Sequence, residues 1–287
     1  MRKIPSLKQI YDDLGCKEKT VDGICWFECN TSADRSVFII HGITGGKIDM
    51  IPLCRKYVML GFAVYSVDLP GHGGSVMPEG NDYNDLSDWL TKVLRTIGRT
   101  PNLLISNSFA SSIVYHALCK DVISKETEVI MACPTPDQSR LADVLQGMSS
   151  RLPEGLAWGV YNCKPAQKIR VMSALKTYRK EAWRWLSESE KYKKSTLKLK
   201  DSNTLTTLLY DKNPYVKGVV SDYKITVVIG DKDNIVTPKT QKIMRDLLPM
   251  ATFVTALGAG HILHFEAVDS YPAVSYTHLT LPTNREV

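Results

Sequence analysis

The chain has 287 residues, 44% of them hydrophobic and 23% charged, with a formal net charge of +6. That composition supplies a large core and excludes a disordered tail; the length fits one domain with an insertion or two small domains. No run of about 18 apolar residues offers a membrane span, and the opening MRKIPSLKQIYDDLG lacks the apolar stretch of a signal peptide, so a cytoplasmic protein without stable membrane insertion is expected.

Short apolar runs alternate with amphipathic stretches. Strands are predicted at 24–30 (ICWFECN) and 36–42 (SVFIIHG), then a helix over 47–61 ending at Gly61, a C-cap signal. A strand at 62–68, a helix over 82–98 closed by Gly98, and a strand at 102–106 come next. Helical SFASSIVYHALCK follows at once, and EVIMACP (128–134) reads as another strand. After a long middle segment the alternation resumes with a strand at 223–230, a helix from Thr237 to about Leu248 and a strand at 251–257. Such alternation predicts an α/β fold, a mostly parallel sheet flanked by helices, whose functional groups sit at the carboxyl ends of the strands. Those ends carry His41-Gly42, Asp68, Ser108, Pro134-Thr135, Asp231/Asp233 and His261.

Ser108 stands between a strand and a helix in Ser106-Asn107-Ser108-Phe109-Ala110. A nucleophile on that turn needs small residues two before and two after it, usually G-x-S-x-G; here Ser106 and Ala110 replace both glycines. Ser106 is the rival nucleophile, but Leu104 is too bulky for the flank it would then occupy. Gly230-Asp231-Lys232-Asp233 and Gly258-Ala259-Gly260-His261 each follow a strand, giving the chain order Ser, Asp, His. In such a set His261 takes the serine proton and an Asp fixes the imidazole tautomer. Glycines in His41-Gly42-Ile43-Thr44-Gly45-Gly46 let backbone amides turn toward the nucleophile, so the N–H groups of Ile43 and Phe109 are the expected oxyanion donors. A phosphate-binding loop is the other reading of HGITGG, but no Walker lysine or G-x-G-x-x-G pattern accompanies it, and no cofactor is expected.

HGITGG, VDLPGHGGS (67–75), SNSFA, GDKD and GAGH together resemble the α/β-hydrolase superfamily, particularly its esterase, lipase and thioesterase members with a helical lid, over residues 20–136 and 222–275. The resemblance implies that Ser108, Asp233 and His261 are catalytic, with Asp231 the weaker acid, and that Asp68, His72 and Ser75 form a mainly structural D-x-x-G-x-G-x-S loop. A serine rather than aspartate nucleophile argues against epoxide hydrolases and haloalkane dehalogenases. The implied reaction is hydrolysis of a small-molecule ester or thioester through an acyl-serine. Acyl transfer, C–C bond hydrolysis, or a ligand-binding protein with little turnover also fit the fold.

Residues 137–221, inserted after the strand at 128–134, correspond to the helical lid in that comparison. Within 137–222 there are sixteen Lys/Arg against nine Asp/Glu, while the remainder holds 20 and 21, so the excess positive charge is confined to this segment. No nucleic-acid motif accompanies it, and no nucleic-acid partner is expected. Leu175, Tyr178, Ala182, Trp185 and Leu186 share one helical face and are predicted to pack on the core. Trp183 falls on the other side near Lys176, Arg179 and Lys180, a candidate substrate contact or an ordinary exposed tryptophan. The seven cysteines are odd in number and scattered, which argues against a disulfide framework. Cys25 and Cys29 lack a second ligand pair, read as packing residues, and leave no metal centre expected. Beyond His261, Asp269 or Ser270 is placed to cap a last helix, whereas 276–287 reads like a translated sequencing adaptor, a non-native tail.

Overall fold

The computed structural model describes residues 4–136, 175–211 and 222–273, and a few single residues between them. Eight strands form one sheet in the order β1-β2-β4-β3-β5-β6-β7-β8. They span Lys17–Val21 (β1), Ile24–Cys29 (β2), Ser36–Ile40 (β3), Ala63–Val67 (β4), Leu103–Asn107 (β5), Glu128–Ala132 (β6), Ile225–Gly230 (β7) and Thr252–Ala256 (β8). β2 runs antiparallel to both β1 and β4, and every pairing from β4 across to β8 is parallel. Strands β3, β4 and β5 are buried along their whole length, as continuous apolar runs covered on two faces must be.

The helices are Leu7–Asp13 (α1), Ile51–Met59 (α2), Tyr83–Ile97 (α3), Phe109–Cys119 (α4), Lys180–Thr196 (α5), Leu199–Asp211 (α6), Pro238–Leu247 (α7) and Leu263–Glu266 (α8). α3 shows why these segments fold locally. Asp82 accepts from the N–H groups of Asn84 and Asp85, Asp85 returns a bond to the Asp82 N–H, and Gly98 ends the helix at φ 68°. The helix predicted over 47–61 divides into a 3-10 turn at Lys47–Met50 and α2, which starts where Pro52 fits the first turn.

Three parts of the molecule depart from expectation or lie beyond it. α1 and β1 were not anticipated: β1 is exposed throughout and KEKTV carries no apolar alternation, while α1 is set by a Ser6/Gln9 capping box. In the middle segment α5 and α6 lie between β6 and β7, and α5 buries Ala182, Trp185 and Leu186 as predicted. Leu175 is buried but precedes the helix, and Tyr178 is 97% exposed; the helix starts only at Lys180, so the periodicity that aligned Tyr178 with the core does not apply to it. The rest of the segment read as a lid, and the tail at 276–287, lie outside the described residues. The described chain closes with α8, a 3-10 turn at Val268–Ser270 and Pro272, whose carbonyl accepts from the Tyr57 hydroxyl on α2.

Candidate active site

Parallel strands bring the ends of β3, β4, β5, β6, β7 and β8 to one edge of the sheet. Ser108 follows β5 and takes φ 51°, ψ −119°, a left-handed backbone that a non-glycine residue holds only when its surroundings force it. The turn is fixed by a 2.8 Å bond from the Ser108 N–H to Ala132 O and by one from the Ser111 N–H to Ser108 O. β3 crowds it from the other side: a Cβ on Gly42 would lie 3.1 Å from the Ser108 Cβ and 3.3 Å from Asn107 O, so only glycine fits there without displacement.

Ser108 Oγ lies 3.0 Å from His261 Nε2, and His261 Nδ1 lies 2.8 Å from Asp233 Oδ2. An ionised carboxylate can only accept, so Nδ1 carries the proton and Nε2 is left to accept from the serine hydroxyl. Asp233 is buried, and its second oxygen accepts from the N–H groups of Ile235 (2.7 Å) and Val236 (3.0 Å). Burial pushes the Asp233 pKa up, but His261 and these two amides outweigh it, and the net shift is downward. Asp231, the rival acid, is exposed and accepts from the Gly258 N–H at 2.7 Å. Ser106, the rival nucleophile, is buried with its hydroxyl near Ser111 Oγ and Ile130 O.

Phe109 directly follows Ser108, Ile43 directly follows the Gly42 packed against the serine turn, and among the described residues the backbone N–H of neither donates a hydrogen bond. The loop that carries Ile43 is pinned behind it. His72 Nε2 accepts from the Thr44 N–H at 3.2 Å, and its Nδ1–H faces Pro70 O at 2.9 Å. His41 Nε2 accepts from the Leu69 N–H at 3.0 Å, and its Nδ1–H faces Gly42 O at 2.7 Å. Burial lowers the pKa of both imidazoles to about 4, so both are neutral and both ring nitrogens are used. Asp68, His72 and Ser75 are all buried; Ser75 Oγ donates to Asp68 O, and Asp68 accepts from the Lys47 and Gly74 N–H groups.

Several residues around this centre escaped sequence reasoning. Lys47 is fully buried with its ammonium 2.5 Å from Asp68; burial works to lower its pKa, but Asp68 outweighs that and the net shift is upward. Its position directly after Gly45-Gly46 was the available signal. Glu266 Oε1 accepts from the Gly260 N–H and Oε2 from the Lys176 N–H, tying the His261 loop to the segment before α5; burial raises its pKa. Asn107 Nδ2–H donates to His264 Nδ1 at 2.6 Å. Trp183 is 39% exposed on α5 with its indole N–H donated to Thr177 O.

Cys133, Asp233 and His261 offer a thiol, a carboxylate and an imidazole within 4.8 Å of one another, a donor set that suits zinc. Asp233 and His261 already spend the relevant atoms on each other, and burial followed by the Asp233 charge pushes the Cys133 thiol up, keeping it protonated. The group is better described as a hydrogen-bonded chain than as a metal centre. Cys25 and Cys29 are both buried on β2, as packing residues are.

Comparison with known proteins follows the same outline. Lipase 1 of Psychrobacter immobilis is 26% identical over 285 residues, covering 93% of this chain and 85% of that protein. The esterase from Exiguobacterium antarcticum superposes with a TM-score of 0.68 at 15% identity, over 86% of this chain and 92% of that one. The haloalkane dehalogenase from Bradyrhizobium elkani USDA94 superposes with a TM-score of 0.64 at 16% identity, over 89% and 94%, so the same scaffold serves different chemistries. The model of the alpha/beta hydrolase family matches residues 37–273, from within the first parallel strand to the last described residue, and the chain belongs to that family.

Proposed function

We propose that this protein is a serine hydrolase that cleaves a carboxylic ester or thioester through an acyl intermediate on Ser108. The observation that carries the reading is the continuous chain Ser108 Oγ, His261, Asp233, with contacts of 3.0 and 2.8 Å and a strained backbone under the serine. His261 Nε2 takes the Ser108 proton as Oγ attacks the acyl carbon, and Asp233 stabilises the resulting imidazolium. The Ile43 and Phe109 N–H groups receive the oxyanion: Phe109 follows the serine, Ile43 follows the Gly42 packed against it, and neither N–H has a competing acceptor among the described residues. Protonated His261 then gives its proton to the departing alcohol or thiol. A water activated by the same imidazole releases the acid and restores the serine.

Trp183 enters this scheme as an apolar contact for the substrate. Its N–H is taken by Thr177, so it offers a ring face rather than a donor. The positive excess in 137–222 favours a substrate with an anionic portion, which places acyl-CoA thioesters beside simple esters in the test.

Ser108→Ala is expected to abolish labelling by a fluorophosphonate probe and turnover of p-nitrophenyl esters of rising chain length, while Ser106→Ala keeps both. Labelling retained in the Ser108 variant and lost in the Ser106 variant would put the nucleophile elsewhere. Labelling without repeated turnover on either the ester or the acyl-CoA series would identify a binding protein that retains an activated serine.

A further inference from the structure

Catalysis by this arrangement depends on two separate pieces of chain staying in register. The turn bearing Ser108 is fastened to β6 and α4 by backbone bonds, and the loop bearing His261 is fastened by Glu266 to the Gly260 N–H. Among the described residues, two side-chain hydrogen bonds join the serine turn to the segment 258–266: Ser108 to His261, and Asn107 to His264. The first breaks and reforms in every catalytic cycle, since its proton is the one transferred. The second takes no part in the proton transfer.

Its geometry suits that task. Asn107 and His264 are both more than nine-tenths buried, so water does not compete for the 2.6 Å bond. Asn107 is the residue immediately before the strained serine, and His264 lies three residues after the general base, in the first turn of α8. Burial lowers the His264 pKa to about 3, so the ring is neutral at neutral pH, and the Asn107 Nδ2–H facing Nδ1 selects the tautomer whose proton sits on Nε2; Asp49, Lys193, His261 and His41 are the charged or titratable groups that act on it.

We propose that Asn107 and His264 are positioning residues that brace the nucleophile turn against the His261 loop and so set the Ser108–His261 separation. This rests on the serine-hydrolase reading above. Misplacement of reacting groups by about 1 Å can cost roughly a hundredfold in rate. The brace therefore acts on kcat and on acylation, and leaves substrate affinity alone.

The test is a panel of His264→Leu, His264→Gln, Asn107→Leu and the double variant His264→Leu/Asn107→Leu, with wild type and Ser108→Ala alongside. Fluorophosphonate labelling rate, kcat and KM on a p-nitrophenyl ester, and Tm are measured on each. His264→Leu and Asn107→Leu are each expected to slow labelling and kcat by roughly tenfold or more, with KM within about twofold. The double variant should be no slower than either single one, because both remove the same bond. His264→Gln, which keeps an acceptor, should recover most of the rate whatever its Tm. Wild-type labelling in the two Leu variants, additive losses in the double variant, or a rate that simply follows Tm across the panel would overturn the brace while leaving the nucleophile assignment intact. A wild-type protein that is not labelled at all, or a Ser108→Ala variant that is, would overturn the serine-hydrolase reading and the brace with it.

Discussion

Asp233 uses both of its carboxylate oxygens, one on His261 and one on the amides of Ile235 and Val236. The amide pair fixes the side-chain orientation independently of the imidazole. An Asp233→Asn variant is expected to keep its place, present an amide N–H to His261 Nδ1, and force the tautomer whose Nε2 bears the proton. That form cannot accept from Ser108, and kcat should fall by on the order of 10³–10⁴. Asp231→Asn, altered at an exposed residue that meets only a loop amide, should fall within a few-fold of wild type; equal losses in the two would undo the assignment. At this scale the sequence reveals a residue when its role is tied to a strand end. Ser108, Asp233 and His261 each follow a strand, and glycines mark two of the three turns. His264 and Glu266 carry no such mark, and Asn107 and Cys133, though at the ends of β5 and β6, are not residue types that announce a role there. Asn107 and His264 are 157 positions apart, Glu266 and Lys176 90, and only the fold brings them together, as it does Cys133 and Asp233.

Elements were legible in proportion to how much of their stability is local or periodic. α3 carries its own start and stop signals, and its boundaries are those expected to within a residue. The central strands are unbroken apolar runs. β1 is a charged edge strand paired with β2 through the two-residue turn Asp22-Gly23, both at positive φ; that Asp-Gly pair is a local hairpin signal, but KEKTV itself lacks the apolar alternation of a strand. α5 is intermediate: its periodicity identified the buried face, but nothing in LKTYRK announced that the helix begins only at Lys180. Its two tryptophans make the face testable. Trp185 is 9% exposed, packs beside Phe265 and donates its N–H to Pro5 O, so Trp185→Ala should destabilise by about 3 kcal/mol or more. Trp183→Ala, on the exposed side, should cost less than about 1 kcal/mol while raising KM for long acyl chains. Denaturant midpoints and chain-length profiles separate the two; similar stability losses would mean that α5 docks through both faces.

The molecule as a whole buries neutral imidazoles beside its functional edge, and this sets how it responds to acid. His41, His72 and His264 are held in the fold with pKa values of about 4, 4 and 3, each lowered first of all by burial. In the unfolded chain they return to about 6.5. Between those limits the unfolded state binds more protons, so their contribution to stability is complete above about pH 6.5 and is lost as pH falls toward 4, each histidine adding up to about 1.4 kcal/mol per pH unit. Asp233 and Asp49, whose pKa values are lowered in the fold, lose their contribution only in still more acid solution. Glu266, raised by burial, acts in the opposite sense, its contribution lost as pH rises through its folded value. The three histidines outnumber it, and the denaturation midpoint is expected to drop steadily from pH 7 to pH 4.5. His72→Leu, less stable at pH 7 because the Thr44 N–H loses its acceptor, should show a shallower drop over the same range. A midpoint that stays level from pH 7 to 5 in the wild type would show that these imidazoles titrate normally and are not locked neutral. The same transition bears on function, because protonating His72 removes the acceptor that holds Thr44, the neighbour of the Ile43 amide. Loss of the oxyanion-side loop should therefore precede global unfolding on the acid side, seen as kcat falling at a pH where the native tryptophan fluorescence is still intact.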